Sequence, residues 1–301
     1  MKQRSPDSTL RLTLLGCLAA SQITLAHRAD VPDFVIMACF IWLGGSLPLV
    51  EYELAGAASS LRDLPMPQFL VGIVALLWSL LVLTHAAQLY DPLLWFLPLA
   101  VLAGLALLAG LSWKGRRLRE VIVIALLLPA QGLLNVLWPK ELLSELTAQS
   151  SAFLLWLTGM PAYPEGQTIV LPDHVLWVDG LCTGYLTLSL SIATLVLLVV
   201  LLPPAPLPAR FRWALPWLGA AVVAALLASA FLINSVRIAL LAYTDQQQAV
   251  PASEFWRSFD FWHLGAGAQL FSLLASGWVC GTYLLVLEAQ RRHRTRSRIA
   301  P

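Results

Sequence analysis

Charge is what this sequence most conspicuously lacks. Only 12% of its 301 residues are Asp, Glu, Lys or Arg, while 58% are hydrophobic. A soluble globular domain carries about 25% charged residues. Together with a mean hydropathy of +0.75, this scarcity excludes a soluble enzyme and a disordered tail protein. Cysteine is sparse too, with four in the chain, which excludes a disulfide-rich secreted module. No stretch except the C-terminal tail is basic enough for nucleic acid, membrane topology explains that tail better, and the net charge is +2, so no nucleic-acid partner is expected. No His-Glu-x-x-His pattern and no internal repeat stands out.

Apolar runs are what the sequence has in abundance. Eight occur, at 10–26, 34–50, 69–89, 93–111, 121–138, 182–202, 213–233 and 264–287. Each is near the ~20 residues that cross a hydrocarbon core as a helix. Lipid offers no partner to a free backbone amide, so spanning segments of this kind are helical. The expected fold is an all-α polytopic membrane protein with about eight transmembrane helices. The first run follows a basic stretch, but seven more follow it, so it reads as an anchor and not as a cleaved leader.

Charge counting orients these segments. With the N-terminus inside, 15 of the 19 basic residues fall on the cytoplasmic side. Arg28, Lys140 and Arg257 lie outside, and Arg237 ends the seventh run. The positive-inside rule then predicts both termini in the cytoplasm of a cell in whose cytoplasmic (inner) membrane the chain sits. Four regions follow: a five-span part at 1–138, an extracytoplasmic segment at 139–181, a three-span part at 182–287 and a basic tail at 288–301. Within the outer segment, 142–157 reads as an interfacial or re-entrant helix. Residues 168–178 read as a β-hairpin turning at Pro172–Asp173, a pair suited to a type I turn. The link Pro203–Pro208 reads as a stiff inner turn.

Three side chains stand out for chemistry. Cys17, Cys39 and Cys280 lie inside apolar runs and read as small packing residues. Cys182 instead opens the sixth run on the outer side. Asp179 is placed to N-cap that helix, and a helix N-terminus favours a thiolate, whereas the charge of Asp179 opposes it. Arg237 ends the seventh run in Asn234-Ser-Val-Arg237, with Asn234 and Arg237 on one helix face. It sits at the outer end, where basic residues are few, and span-end charges facing a bundle are functional candidates. His263 opens the eighth run among aromatics in Phe261-Trp262-His263. His27, His85 and His174 compete with it for the outer side, whereas His293 lies in the inner tail.

Charge counting alone thus puts a thiol, a guanidinium and an imidazole at the outer ends of three consecutive spans. Those are the parts of a thiol acyl-transfer site. His263 would take the thiol proton and later protonate the leaving amine. Arg237 would stabilise an oxyanion or the thiolate.

Cys182-Thr183-Gly184 at a helix start, Asn234-Ser-Val-Arg237 at a span end and His263 opening the last span resemble the exosortase/archaeosortase family. Gaps of about 55 and 26 residues between the three fit that family's order, as does the preceding hairpin. Thr183 keeps the hydroxyl of the family's commoner Cys-Ser-Gly, while Tyr185-Leu186 follow where many members carry a polar or basic residue. The resemblance implies a membrane cysteine protease/transpeptidase that cleaves C-terminal sorting signals of exported proteins and transfers them to a lipid or glycan acceptor. It implies Cys182 as nucleophile, Arg237 as stabiliser and His263 as general acid/base, supported by Asp179, Thr183, Gly184 and Asn234. No cofactor and no metal are expected, and the partners are the sorting signal, the acceptor and membrane lipids.

Two other classes compete. A transporter or assembly factor for a surface polymer would place polar residues at mid-membrane. Here these are few: Gln131, Asn135, Gln269 and Ser272. A metal-dependent membrane protease would draw on His27, His85, His174 and aspartates, without the motif such enzymes use.

Overall fold

The computed structural model describes residues 5–28, 32–85, 92–180, 182–204, 215–244, 252–263 and 265–299. The expected stiff link at Pro203–Pro208 lies largely outside them. The chain divides into two compact units, Met1–Val136 and Leu137–Pro301. Residues 139–181 and 182–287 therefore belong to one unit.

The first unit is helical: α1 (Pro6–Arg28), α2 (Pro32–Leu54), α3 (Met66–His85), α4 (Pro92–Trp95), α5 (Leu97–Leu108), α6 (Arg116–Ala125) and nearly all of α7 (Leu127–Leu137). The apolar run expected as one span at 93–111 is broken into two pieces. That stretch holds the four-residue α4 and the 12-residue α5. Phe96 between them keeps right-handed helical angles, so 92–108 together rise about 26 Å at 1.5 Å per residue, near the ~30 Å of a hydrocarbon core. Nine residues of α5 are buried. It stops at Gly110, whose φ of 90° suits a residue without a Cβ. Two polar side chains then donate to carbonyls at and just beyond its C-terminal end. Gln68 donates to Leu107 O at 2.8 Å and Leu111 O at 3.0 Å, and Arg11 donates to Leu108 O at 3.2 Å.

Arg11 is 2% exposed and holds Glu53 through two bonds, at 2.5 and 3.1 Å. It donates to Ser59 O as well. A buried ion pair is tolerable only when its remaining donors are also met, and here four of the five Arg11 N–H groups find acceptors. Trp42 and Gln22 form a similar link: the indole donates to Gln22 Oε1, whose amide donates to Leu94 O. The apolar run at 121–138 breaks into α6 and α7 around Leu126. Pro129 accounts for the break, because it cannot donate to the carbonyl of Ala125 and its ring crowds that turn.

The second unit begins with α8 (Lys140–Leu157) and a three-stranded antiparallel sheet, β1 (Tyr163–Glu165), β2 (Thr168–Val170) and β3 (Val175–Trp177). In the β2–β3 pair Ile169 faces Leu176, and β1 adds a strand beyond the expected hairpin. Then come α9 (Tyr185–Leu201), α10 (Leu215–Leu241), the short α11 (Phe259–His263) and α12 (Ala266–Ile299). The last helix continues to Ile299, through the residues expected to form a separate basic tail.

Helix α8 packs chiefly through small side chains, while its exposed face mixes Glu141, Glu145 and Gln149 with large apolar residues. It buries Ser144, Thr147, Ala148, Ser151 and Ala152, which lets α10 come close. Ser151 Oγ donates to Ser235 O on α10 at 3.0 Å. Its outward face carries Leu142, Leu146, Phe153, Trp156 and Leu157, all exposed. Small residues at contacts and large apolar ones outside are the pattern of helices packed in lipid.

Among the described residues, six helices are long and apolar enough to cross a membrane, and α5 and α9 are apolar but shorter. The chain is therefore a mostly helical polytopic membrane protein, with six such helices where the apolar runs predict about eight.

Candidate active site

An apolar cluster at one end of the second unit positions the site. Ile169, Leu171, Leu176 and Val178 from the sheet pack with Ala148, Ala152 and Leu155 of α8 and with Ile238 and Leu241 of α10. Cys182 belongs to this same cluster and is 3% exposed. Phe259 and Trp262 of α11 pack against it. The sheet thus contributes apolar cover to the cluster that holds the thiol.

The local chain around Cys182 is a tight turn. Its backbone N–H is accepted by Asp179 twice, by the backbone carbonyl at 3.0 Å and by carboxylate Oδ1 at 2.8 Å. The Asp179 contact is the one an N-cap makes with the amide three residues on. The helix, however, starts later than the apolar run suggests. Its N-cap is Gly184 and its first residue Tyr185, so Cys182 precedes the first turn. The reason is the backbone of Gly184, whose φ of 77° cannot continue a right-handed helix.

Gly184 is required twice over. A left-handed φ is costly for a residue with a Cβ. A Cβ there would also lie 2.6 Å from Asn234 Nδ2 and 3.0 Å from Asn234 Cβ. That closeness lets the Asn234 amide donate to Cys182 O at 3.1 Å. Thr183 is fully buried. Its hydroxyl donates to Gly180 O at 2.9 Å and accepts from Tyr185 N at 3.3 Å. The Cys-Thr-Gly sequence is therefore a built turn, with a hydroxyl and a missing Cβ each performing a nameable task.

His263 ends α11 and meets this turn. A carboxylate oxygen of Asp179, Cys182 Sγ and a ring nitrogen of His263 all lie within 4.8 Å of one another. His263 Nε2 is 3.9 Å from Asp179 Oδ2. Phe259 lies 4.9 Å from the imidazole, centroid to centroid, and holds its orientation. Of the competing histidines, His27 and His85 belong to the other unit. His174 is exposed, in the turn between β2 and β3.

Burial pushes the Cys182 thiol up to about 12. The positive charge of Arg237 works against that rise, whereas the charge of Asp179 and its hydrogen bond add to it. The thiolate that a helix N-terminus would favour is therefore not the resting form; the dominant influence is desolvation. The geometry instead describes a neutral thiol with an imidazole, a carboxylate and a guanidinium around it. Arg237 itself is 5% exposed, one turn above Asn234 on α10.

Asp179, Cys182 and His263 offer the donor types that bind zinc. The guanidinium of Arg237, which acts electrostatically on both Cys182 and His263, opposes a divalent cation at that point. All four cysteines are free thiols, and Cys17 is exposed where packing was expected.

The model of one protein family, described as transmembrane exosortase, matches residues 47–279. The match takes in more than three quarters of the chain, including all of the turn, Asn234, Arg237 and His263. No curated protein and no solved structure matches the chain.

Proposed function

The chain belongs to the transmembrane exosortase family, and from that premise we propose that it is a membrane-embedded cysteine protease/transpeptidase. Its substrates are the C-terminal sorting signals of exported proteins, and its acceptor is a lipid or glycan. The observation that carries this reading is the meeting of Cys182 with Asp179 and His263, within 4.8 Å, beside the buried charge of Arg237.

The chemistry follows from the resting state of the thiol. A neutral thiol is a poor nucleophile, so proton removal must accompany attack. His263 takes that proton, and Sγ bonds to the scissile carbonyl carbon. Arg237 stabilises the oxyanion as it forms, in a pocket dry enough to make that charge count. The protonated imidazole then gives its proton to the leaving amine, which departs and leaves a thioester on Cys182. Attack by the acceptor on the thioester completes transfer.

The site faces the outer side of the cytoplasmic membrane, with both termini inside. The 15 basic residues on the proposed inner side support that orientation. A transport reading draws little support from the buried polar groups of the second unit. Thr187 and Ser272 bond to each other at 3.0 Å, and Ser191, Thr194 and Ser276 bond back to their own helices.

The test is a cysteine series in membranes with a tagged precursor. Cys182→Ala should abolish processing and the hydroxylamine-sensitive thioester. Cys17→Ala, Cys39→Ala and Cys280→Ala should retain most activity. Full processing by a normally expressed Cys182→Ala would overturn the reading.

A further inference from the structure

Asp179 makes a hydrogen bond to the Cys182 turn and lies at ion-pair distance, longer than a hydrogen bond, from His263. Its Oδ1 accepts the Cys182 amide at 2.8 Å, while Oδ2 lies 3.9 Å from His263 Nε2. The side chain therefore spans the gap between nucleophile and base. In a Ser-His-Asp triad the carboxylate binds the ring nitrogen remote from the nucleophile. Here the carboxylate is tied to the backbone of the nucleophile itself, three residues away. It is fixed relative to the thiol first and to the imidazole second. Exposure is graded across the cluster as well. The Asp179 side chain is 44% exposed and that of His263 20%, whereas Cys182 is buried.

We infer that Asp179 is a positioning and proton-relay residue for Cys182, passing the thiol hydrogen to His263. This inference rests on the thiol acyl-transfer reading above. In the step, the Sγ–H bond breaks as Sγ bonds to the scissile carbon. The proton crosses the carboxylate to Nε2, and the carbonyl electron pair moves to oxygen, where Arg237 balances it. The carboxylate ends the step as it began, so no other reactant is consumed. When the amine leaves, the proton on the imidazole goes with it.

A relay has a signature that a cap lacks. The groups acting on the thiol are Asp179 from its own turn, Arg237 from α10 and His263 from α11, with Lys140 of α8 beside Gly180. Asp260 acts on His263 from within α11. Asp179 is the member of this set that both opposes the thiolate and bridges to the base. Removing its charge should make the thiol more reactive and the enzyme slower.

The experiment uses the full-length enzyme in membranes. Asp179→Asn keeps an acceptor for the Cys182 amide and removes the charge. It should lower kcat on the order of 10²-fold, the lower end of general acid–base assistance, with KM for the precursor little changed. In a background where Cys17, Cys39 and Cys280 are replaced, the same variant should react with iodoacetamide several-fold faster at pH 8. Near-normal kcat, or slow turnover with unchanged labelling, would overturn the relay. Asp179→Ala removes both contacts, but Asp179→Asn decides the matter by itself, so misfolding of the Ala variant would not blunt the test. Loss of processing in Cys182→Ala beside a normal Asp179→Asn would remove the relay alone. Normal processing in Cys182→Ala would remove the underlying reading as well.

Discussion

The side-chain amide of Asn234 donates to the backbone carbonyl of Cys182, 52 residues away, at 3.1 Å. This bond fastens the Cys182 turn to α10, the helix that also carries Arg237. Its length depends on how closely α10 approaches the Gly184 backbone, so the turn and the helix face are specified together.

Gly184→Ala tests that dependence. The added methyl meets Asn234 at 2.6–3.0 Å and occupies a left-handed backbone. A left-handed conformation alone costs about 1–2 kcal/mol in a residue with a Cβ. Processing per folded enzyme should fall at least tenfold. Adding Asn234→Ala should relieve the clash without restoring activity, because the bond to Cys182 O is then gone. Precursor turnover normalised to enzyme abundance decides it, and normal turnover by Gly184→Ala would contradict the turn's role.

Thr183 separates a hydroxyl requirement from a size requirement. Thr183→Ser keeps both hydrogen bonds and should lose little. Thr183→Val keeps the volume but leaves Gly180 O and Tyr185 N without the hydroxyl. Gly180 is exposed and Tyr185 buried, so the loss is about that of one buried hydrogen bond, on the order of 1 kcal/mol. The Val variant should therefore unfold at lower temperature in detergent and process slowly. Equal behaviour of the two would show that the hydroxyl has no structural work.

The thiol's acidity can be read directly. With its value near 12, the thiolate is a minute fraction at neutral pH and grows tenfold per pH unit. Iodoacetamide labelling of Cys182, with the other three cysteines replaced, should climb steadily from pH 7 to 10. Arg237→Gln removes a charge that lowers the value, so labelling should slow at every pH. A plateau already reached at pH 8 would contradict the buried neutral thiol.

Arg237 and His263 are separable by substitution. Lys offers a point charge where Arg offers a planar fork. Arg237→Lys should lose much of the activity and Arg237→Ala nearly all. His263→Ala should lose about 10²–10⁴-fold, the range of general acid–base assistance, whereas His174→Ala and His85→Ala should be mild. The measurement is the rate of precursor loss together with thioester trapping by hydroxylamine. Full activity in both Arg237→Lys and His263→Ala would sink the three-residue mechanism.

These residues also mark where a sequence can and cannot be read. The ends of apolar runs bring Cys182 and His263 to one side because charge asymmetry orients membrane segments before any packing is known. The Asp179 contact with the Cys182 amide is legible because capping is local. The left-handed Gly184 that delays the helix is harder to see. Glycine is common in such chains, and the partner that demands it, Asn234, is distant. The burial of Cys182 depends on the sheet reaching over from 169–178, which no local pattern encodes. Arg11 misleads for the same reason. In a count it is an inner-side charge, whereas the fold buries it against Glu53 and the end of α5. The end of α5 has a local sign, Gly110, but hydropathy averages across it.

The patterning of α8 has a practical consequence. Cut free and placed in water, residues 139–181 would present Leu142, Leu146, Phe153, Trp156 and Leu157 to solvent while turning serines and threonines inward. Exposed side chains of this kind cost about 25 cal/mol for each Å² of apolar surface left wet. The roof over the cysteine is therefore no detachable module. Expressed alone, grafted or trimmed, it would lose α10, the helix against which its small residues pack.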